Sequence, residues 1–302
     1  MTVIIAFLAN FLVAVAKTVA AFLTGSASLV AEAAHSWADS GNEIFLLIAD
    51  RRSSRKKDDR HPLGYGREAW VWSLFAAVGI FTAGAVVAVT HGIAELSNPE
   101  PVENLAVAYI VLAVSFVLEG LSFTQAARQS RRTARKRNES TVRFVLTSSN
   151  ATLRGVFLED FAALIGLIIA AVSIFVHQIT GNAVYDAIGS ILIGVLLGIV
   201  ALILIDQNRR FLVGANSSSE LRNMAGREML ALPDIDRVTY LHLEFIGPER
   251  LYLVAAVDLV GNSPESTVAE ELRRIERMIE EREGIETAVL TLSVSDEPSL
   301  EF

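Results

Sequence analysis

The 302-residue sequence predicts a six-helix α-helical membrane bundle followed by a small α/β domain. Three observations carry that expectation. Six apolar segments fall at roughly 3–23, 28–50, 70–95, 104–127, 155–177 and 183–205, and about 20 apolar residues let a helix cross a bilayer. The loops between them alternate in charge. From about residue 211 the chain changes to the patterning of a soluble domain. Composition agrees, because 52% hydrophobic residues, 20% charged residues and a mean hydropathy of +0.44 coexist only when the two kinds are segregated along a chain.

The first segment precedes TGSAS, which resembles a signal-peptide cleavage region, but it lacks a basic leader and carries Asn10 and Lys17. It is read as a retained helix. The loop after the second segment, RRSSRKKDDRHPLGYGRE, and the loop after the fourth, RQSRRTARKRNES, are rich in Arg and Lys, and Arg209 and Arg210 follow the sixth. The intervening loops TGSAS, SNPEPVEN and HQITGNA hold no Lys or Arg. Basic loops stay on the cytoplasmic side, so both termini are expected in the cytoplasm of a multi-pass cell-membrane protein. Residues 1–210 are then a transmembrane domain and residues 211–302 a cytoplasmic one.

In the cytoplasmic part, SSSELRNMAGREMLALP reads as a capped helix ending before Pro233. RVTYLHLEF alternates as a strand, with Thr239, Leu241, Leu243 and Phe245 on one face and Val238, Tyr240, His242 and Glu244 on the other. Gly247-Pro248 turns into a second strand, RLYLVAAVDLV. A helix follows with Pro264 near its start and Val268, Leu272, Ile275 and Ile279 on one side. Gly284 stops it, and IETAVLTLSVS is a third strand. The order αββαβ suggests a small sheet with two helices on one face, and so small a core favours a homodimer. This stretch holds 18 Asp and Glu against 8 Arg within a net charge of −8. That acidity excludes nucleic acid as a partner and suits the collection of cations. Cysteine is absent, so neither disulfides nor thiolate ligands are available.

The chemistry concentrates in the second segment. Glu32, His35, Asp39, Asn42 and Glu43 fall at i, i+3, i+7, i+10 and i+11, within roughly a 100° arc of one helix face. A charged side chain at the bilayer centre costs on the order of 3 kcal/mol, so this stripe must face other helices, water or a cation. Polar side chains can serve simply as hydrogen-bonding glue between helices. A His and an Asp one turn apart near mid-membrane point instead to a site for a divalent metal or a proton.

The fifth segment adds adjacent carboxylates at Glu159 and Asp160. Adjacent helical residues point about 100° apart, so one of them can bind metal while the other pairs with Arg154 or a neighbouring helix. Asp160 is preferred for the metal, with Glu159 second. Folding the first two segments about Gly25–Ser26 brings Lys17 level with Glu32 as a buried ion pair, and Asn10 level with Asp39 and Asn42. Glu119 in the fourth segment either relays protons or pairs with another helix. Asp58, Asp59 and His61 lie in a solvated loop. His91 and His177 sit near helix ends, and His242 has no second His nearby to make a metal site in the tail.

TGSASLVAEAAHSWADSGNE and HPLGYGRE resemble the second-helix signature and following loop of the cation diffusion facilitator family of metal/proton antiporters, a zinc-transporter-like family. The resemblance covers nearly the whole chain. It implies six spans and a C-terminal ferredoxin-like domain. His35 and Asp39 match the family's His-x-x-x-Asp signature. Its repeat in the fifth helix is matched by Asp160, but Val156 stands where the second His would be. Glu159, Asn42 or water would complete the shell, and a shell richer in oxygen weakens the preference for zinc. Asp58 and His61 match places that bind a second ion in some members, with Tyr65 in the place of a third ligand.

The resemblance therefore implies a homodimeric transporter with no cofactor, exporting a divalent cation, Zn²⁺ first and Fe²⁺, Mn²⁺ or Co²⁺ as alternatives, in exchange for protons. His35, Asp39 and Asp160 would hold the ion, with Glu159 as fourth ligand. Two other classes stand against it. An intramembrane metalloenzyme would need a general base in an HExxH-type motif, which does not occur. A metal sensor or scaffold would use the membrane part only as an anchor.

Overall fold

The computed structural model describes residues 2–99, 101–136 and 139–302. Arg137 and Asn138 of the expected basic loop, and Glu100 of the loop without Lys or Arg, lie outside the described residues. Six long helices occupy the six apolar segments: α1 (Thr2–Thr24), α2 (Ala27–Ser53), α3 (Glu68–Ser97), α4 (Leu105–Lys136), α6 (Ala151–Thr180) and α7 (Val184–Leu212). A short helix, α5 (Thr141–Thr147), precedes α6, its start capped by the Ser140 hydroxyl accepting from the Arg143 amide. By length and composition α3, α4, α6 and α7 can each cross a membrane, and Asn10–Thr24 of α1 is apolar as well. Of the other two long helices, α1 carries Lys17 and α2 the polar stripe.

Two compact units emerge from the contacts. The first comprises residues up to Arg51 together with Trp70–Arg209, and the second comprises Arg52–Ala69 together with Arg210–Phe302. In the first unit, α4 packs on α6 and on α1. Its core is built from small and branched residues such as Ala31, Ala108, Ala162, Leu167, Ala170 and Ile174. Small residues let helix backbones approach closely where lipid offers no hydrophobic drive between helices. The contact between α3 and α7 uses that device twice. A Cβ on Gly92 would lie 2.9 Å from the Ala187 carbonyl oxygen, and one on Gly194 would lie 2.9 Å from the Val89 nitrogen. Ser190 donates to the Ala88 carbonyl at 2.8 Å between them. Midway along, α3 widens into a π-helical stretch at Ile80–Val86, a local feature often found where a helix serves function.

The second unit has the expected order: α8 (Ser219–Leu230), β1 (Ile235–Gly247), β2 (Arg250–Leu259), α9 (Glu265–Glu280) and β3 (Ile285–Leu292). The sheet order is β1-β2-β3, with β1 antiparallel and β3 parallel to β2. A parallel neighbour requires a crossover, which α9 supplies. Leu253, Ala255 and Val257 of β2 are fully buried with Ile275 and Ile279 of α9 and Met229 of α8.

In β1 the expected faces are modified. Val238 is fully buried with Leu241 and Leu243, because the register shifts between Val238 and Tyr240 and reverses the alternation at Thr239. The Arg52–Ala69 segment meets the β1–β2 turn backbone to backbone. A Cβ on Gly66 would lie 2.5 Å from the Ile246 carbonyl oxygen, so only glycine permits the approach. Arg67 pairs with Glu244 beside it.

Candidate functional site

The polar stripe of α2 faces the interior of the first unit. Glu32 and His35 are fully buried, Asn42 nearly so, and the Asp39 side chain is 16% exposed. Neighbours on α1 and α6 partner three of the stripe residues, Glu32, Asn42 and Glu43. Lys17 Nζ donates to Glu32 Oε2 at 2.9 Å, as the hairpin register requires. The other Glu32 oxygen has no hydrogen-bond partner and lies against Gly166 of α6, where a Cβ would collide with it. Asn10 reaches Glu43 Oε1 at 2.5 Å, beyond the expected Asp39 and Asn42.

His35 Nε2 lies 3.5 Å from Asp39 Oδ2, and neither imidazole nitrogen makes a hydrogen bond. Asp39 Oδ1 is likewise unpartnered and shielded from solvent. Imidazole nitrogens and a carboxylate oxygen without hydrogen bonds in an apolar interior cost free energy that a hydrogen bond or a cation would offset.

The α6 carboxylates diverge as adjacent helical residues must. Glu159 Oε1 accepts from Asn42 Nδ2 at 2.5 Å and so faces α2. Asp160 Oδ2 accepts from the Ser122 hydroxyl of α4 at 2.7 Å. Asp39 lies within electrostatic range of Glu159, Glu119 and Asp160 and of the cation on Lys17. The structure thus pairs His35 with Asp39 and brings Glu159 to Asn42 beside them, while Asp160 is held by Ser122. Among the described residues, no three His, Asp or Glu side chains are gathered closely enough to hold a metal ion. Arg154, fully buried, donates to the Ser148 carbonyl and to Asn208 Oδ1.

Of the other candidates, Asp58, His61, His177 and His242 have partners of their own. Asp58 accepts from the Arg60 and His61 amides and, at 2.7 Å, from the Tyr65 hydroxyl. That hydroxyl, first among the causes, holds the Asp58 carboxyl below its ordinary range, and the same bond raises the Tyr65 phenol. The His61 ring packs on Tyr65 at 4.0 Å between centroids, and Asp59 is exposed. His91 is half-buried. His177 Nε2 accepts the Val102 amide at 3.3 Å, and His242 lies 3.6 Å from Glu244. Sequence reasoning passed over Asp186. It is buried in the first turn of α7 and accepts four hydrogen bonds from the start of α2. An acidic residue there reads as complementing its own helix dipole, and the one local hint was the serine-rich TGSAS.

Residues 3–213 match the model of the cation efflux transmembrane domain. The chain belongs to the cation efflux family. Members of this family are transporters, not enzymes. Among curated relatives, the chain is 33% identical over 271 residues to the human protein named proton-coupled zinc antiporter SLC30A9, mitochondrial, covering 90% of this chain and 48% of that one. It is 34% identical over 252 residues to metal tolerance protein C4 of Arabidopsis thaliana, covering 83% and 55%. It is 25% identical over 232 residues to zinc transporter ZitB of Escherichia coli K12, covering 76% and 68%. The chain spans about half the length of the first two of these relatives. Its cation efflux match takes in every residue of the α2 stripe and both α6 carboxylates.

Proposed function

We propose that this cation efflux protein exports a divalent metal cation from the cytoplasm in exchange for protons, with Zn²⁺ as preferred cargo. The observation that carries the reading is the His35–Asp39 pair, buried on α2 with both imidazole nitrogens and one carboxylate oxygen lacking hydrogen bonds. His35, Asp39 and Asp160 hold the ion, and Glu159 supplies the fourth ligand. To do so the cargo displaces Asn42 from Glu159 and Ser122 from Asp160, so the site is assembled around the ion and dispersed without it. Exchange follows from ligand chemistry, because the same imidazole and carboxylates bind either metal or protons. Metal wins at cytoplasmic pH; protons win on a more acidic far side.

The names of the human and Escherichia coli relatives, which specify zinc, support the cargo. The charge alternation of the loops supports a cell-membrane orientation with both termini, and the acidic 211–302 domain, in the cytoplasm. The protein works as a homodimer in this reading. A second cargo reading, Fe²⁺, Mn²⁺ or Co²⁺, is favoured by Val156, which leaves one imidazole against three carboxylates. The test is metal uptake into sealed proteoliposomes under an imposed pH gradient, with the four metals in competition. Zn²⁺ uptake that collapses with the gradient supports the proposal. Uptake indifferent to the gradient contradicts proton exchange, and no flux of any metal leaves a sensor or scaffold.

A further inference from the structure

The α2 helix begins at Ala27, and its first turn is held by a residue about 160 positions away in sequence. Asp186, in the first turn of α7, is 2% exposed. Its Oδ1 accepts from the Ser26 hydroxyl at 3.0 Å and from the Ser28 hydroxyl. Its Oδ2 accepts from the Ala27 amide at 2.5 Å and from the Ser28 amide at 3.4 Å. Ser173 of α6 donates to the Ser28 hydroxyl at 3.2 Å, and a Cβ on Gly189 of α7 would lie 2.6 Å from Ser173 Cβ. The carboxylate therefore joins α7 to the start of α2, and α6 is linked to the same place through Ser28.

Asp186 is not the sole cap of α2, and its Oδ1 takes no part in capping. The helix's own Ser26 hydroxyl already accepts from the Leu29 amide at 3.2 Å. What Asp186 adds is a connection between helices, using both carboxylate oxygens to fix the height and rotation of the α2 end relative to α7. From Ser28 to His35 and Asp39 is about 10 and 16 Å along the axis at 1.5 Å per residue. A side-chain tip stands about 5 Å from that axis, so a 20° turn of the helix would sweep His35 through about 2 Å. Ligand constellations tolerate about 0.5 Å.

We propose that Asp186 is a positioning residue for the transport site: by tethering the start of α2 to α7 it sets the rotation of the helix that presents His35 and Asp39. The proposal rests on the reading of those two residues as cargo ligands. It also gives the buried charge a use, since one acceptor oxygen would have sufficed for a cap.

The test is Zn²⁺ uptake by proteoliposomes holding equal amounts of folded protein, for wild type, Asp186→Asn, Asp186→Glu and the double variant Asp186→Ala/Ser26→Asp. The amide of Asp186→Asn gives up one of the two charged acceptor oxygens. Asp186→Glu keeps the charge and lengthens the arm by one methylene, covering the case in which Asp186→Asn fails to fold. The double variant restores a carboxylate cap from α2 itself but not the tether. The expected result is a KM for metal raised about tenfold or more in the single variants, as for a misplaced ligand set, and still raised in the double variant although its thermal midpoint recovers. A wild-type KM in the single variants overturns the proposal. So does a KM that returns to wild type in the double variant, which would make Asp186 a helix cap and nothing more. If wild-type protein moves no metal, the transport reading fails and takes this one with it; a wild-type KM in Asp186→Asn, with wild-type flux intact, sinks only the tether.

Discussion

Lys17→Met isolates an ion pair that the structure buries completely. Both side chains are 0% exposed, the contact is 2.9 Å, and the second Glu32 oxygen has no hydrogen bond. Methionine keeps the unbranched stem and removes the ammonium. Glu32 is then left as a buried carboxylate without its cation, and removing one partner of a buried pair costs about 3–5 kcal/mol. At 1.4 kcal/mol per factor of ten, the ratio of folded to unfolded protein falls by roughly 10²–10⁴. Replacing both partners by apolar residues, as in Lys17→Met/Glu32→Met, removes the uncompensated charge and should return stability to wild type or above it by about 1–4 kcal/mol. The assay is chemical unfolding of the purified protein in detergent, followed by tryptophan fluorescence. A single variant that unfolds at the wild-type midpoint would refute the reasoning. A double variant no more stable than the single would refute it too, because the loss could then not be assigned to an unpaired charge.

Gly166→Ala places a Cβ against the unpartnered Glu32 oxygen, so it should lower the unfolding midpoint in the wild type and much less in a Glu32→Ala background. Gly66→Ala cannot be accommodated by a flexible side chain, since the nearest atoms are the backbone of Ile246 and Gly247 at 2.5 and 2.7 Å. It should release the 52–69 segment from the β1–β2 turn, read as faster proteolysis within that segment. Tyr65→Phe removes the hydroxyl that chiefly holds the Asp58 carboxyl down, so the Asp58 midpoint in a carboxyl-carbon NMR titration should rise. The sign for stability follows: a depressed carboxyl stabilises the fold fully above its unfolded pKa, near 3.9, and the contribution is lost as pH falls through the lower folded value. Wild type and Tyr65→Phe should therefore differ in stability at neutral pH and converge under strong acid.

Much of the membrane unit was legible because apolar length is a coarse and robust signal. Each apolar segment became a helix, though α2 runs on to Ser53 and α4 to Lys136, where polar ends continue the backbone pattern past the apolar run. The Lys17–Glu32 pair followed from folding the chain about Gly25, because two antiparallel helices joined by a tight turn have a fixed register. The same reflection missed the partner of Asn10, since Glu43 lies next to Asn42 on the stripe and a long side chain reaches it instead. The π-helical stretch at Ile80–Val86 left no mark in IFTAGAV, whose apolar run reads like any other helix.

Two connections were invisible for a different reason. Asp186 meets Ser26 and Ser28 across the fold, and Gly66 meets Gly247, so neither contact lies within any window of sequence pattern. The short α5 had a signal in the Ser140 cap and in Phe144 and Val145, which are buried, but the basic run before it read as loop. Helical spacing put His35 and Asp39 together on the inward face of α2, where the structure has them. Which way Glu159 and Asp160 turn depended on Asn42 and Ser122, donors contributed by other helices.

Asp39 offers the most direct test of the proposed transport site. Zn²⁺ uptake by proteoliposomes under a pH gradient should be abolished by Asp39→Ala, while the variant elutes and unfolds as the wild type does, because the change removes a carboxylate ligand without creating a buried unpaired charge. Uptake by Asp39→Ala at the wild-type rate, with the same dependence on the gradient, would place the cargo somewhere other than the α2 stripe and contradict the mechanism proposed here.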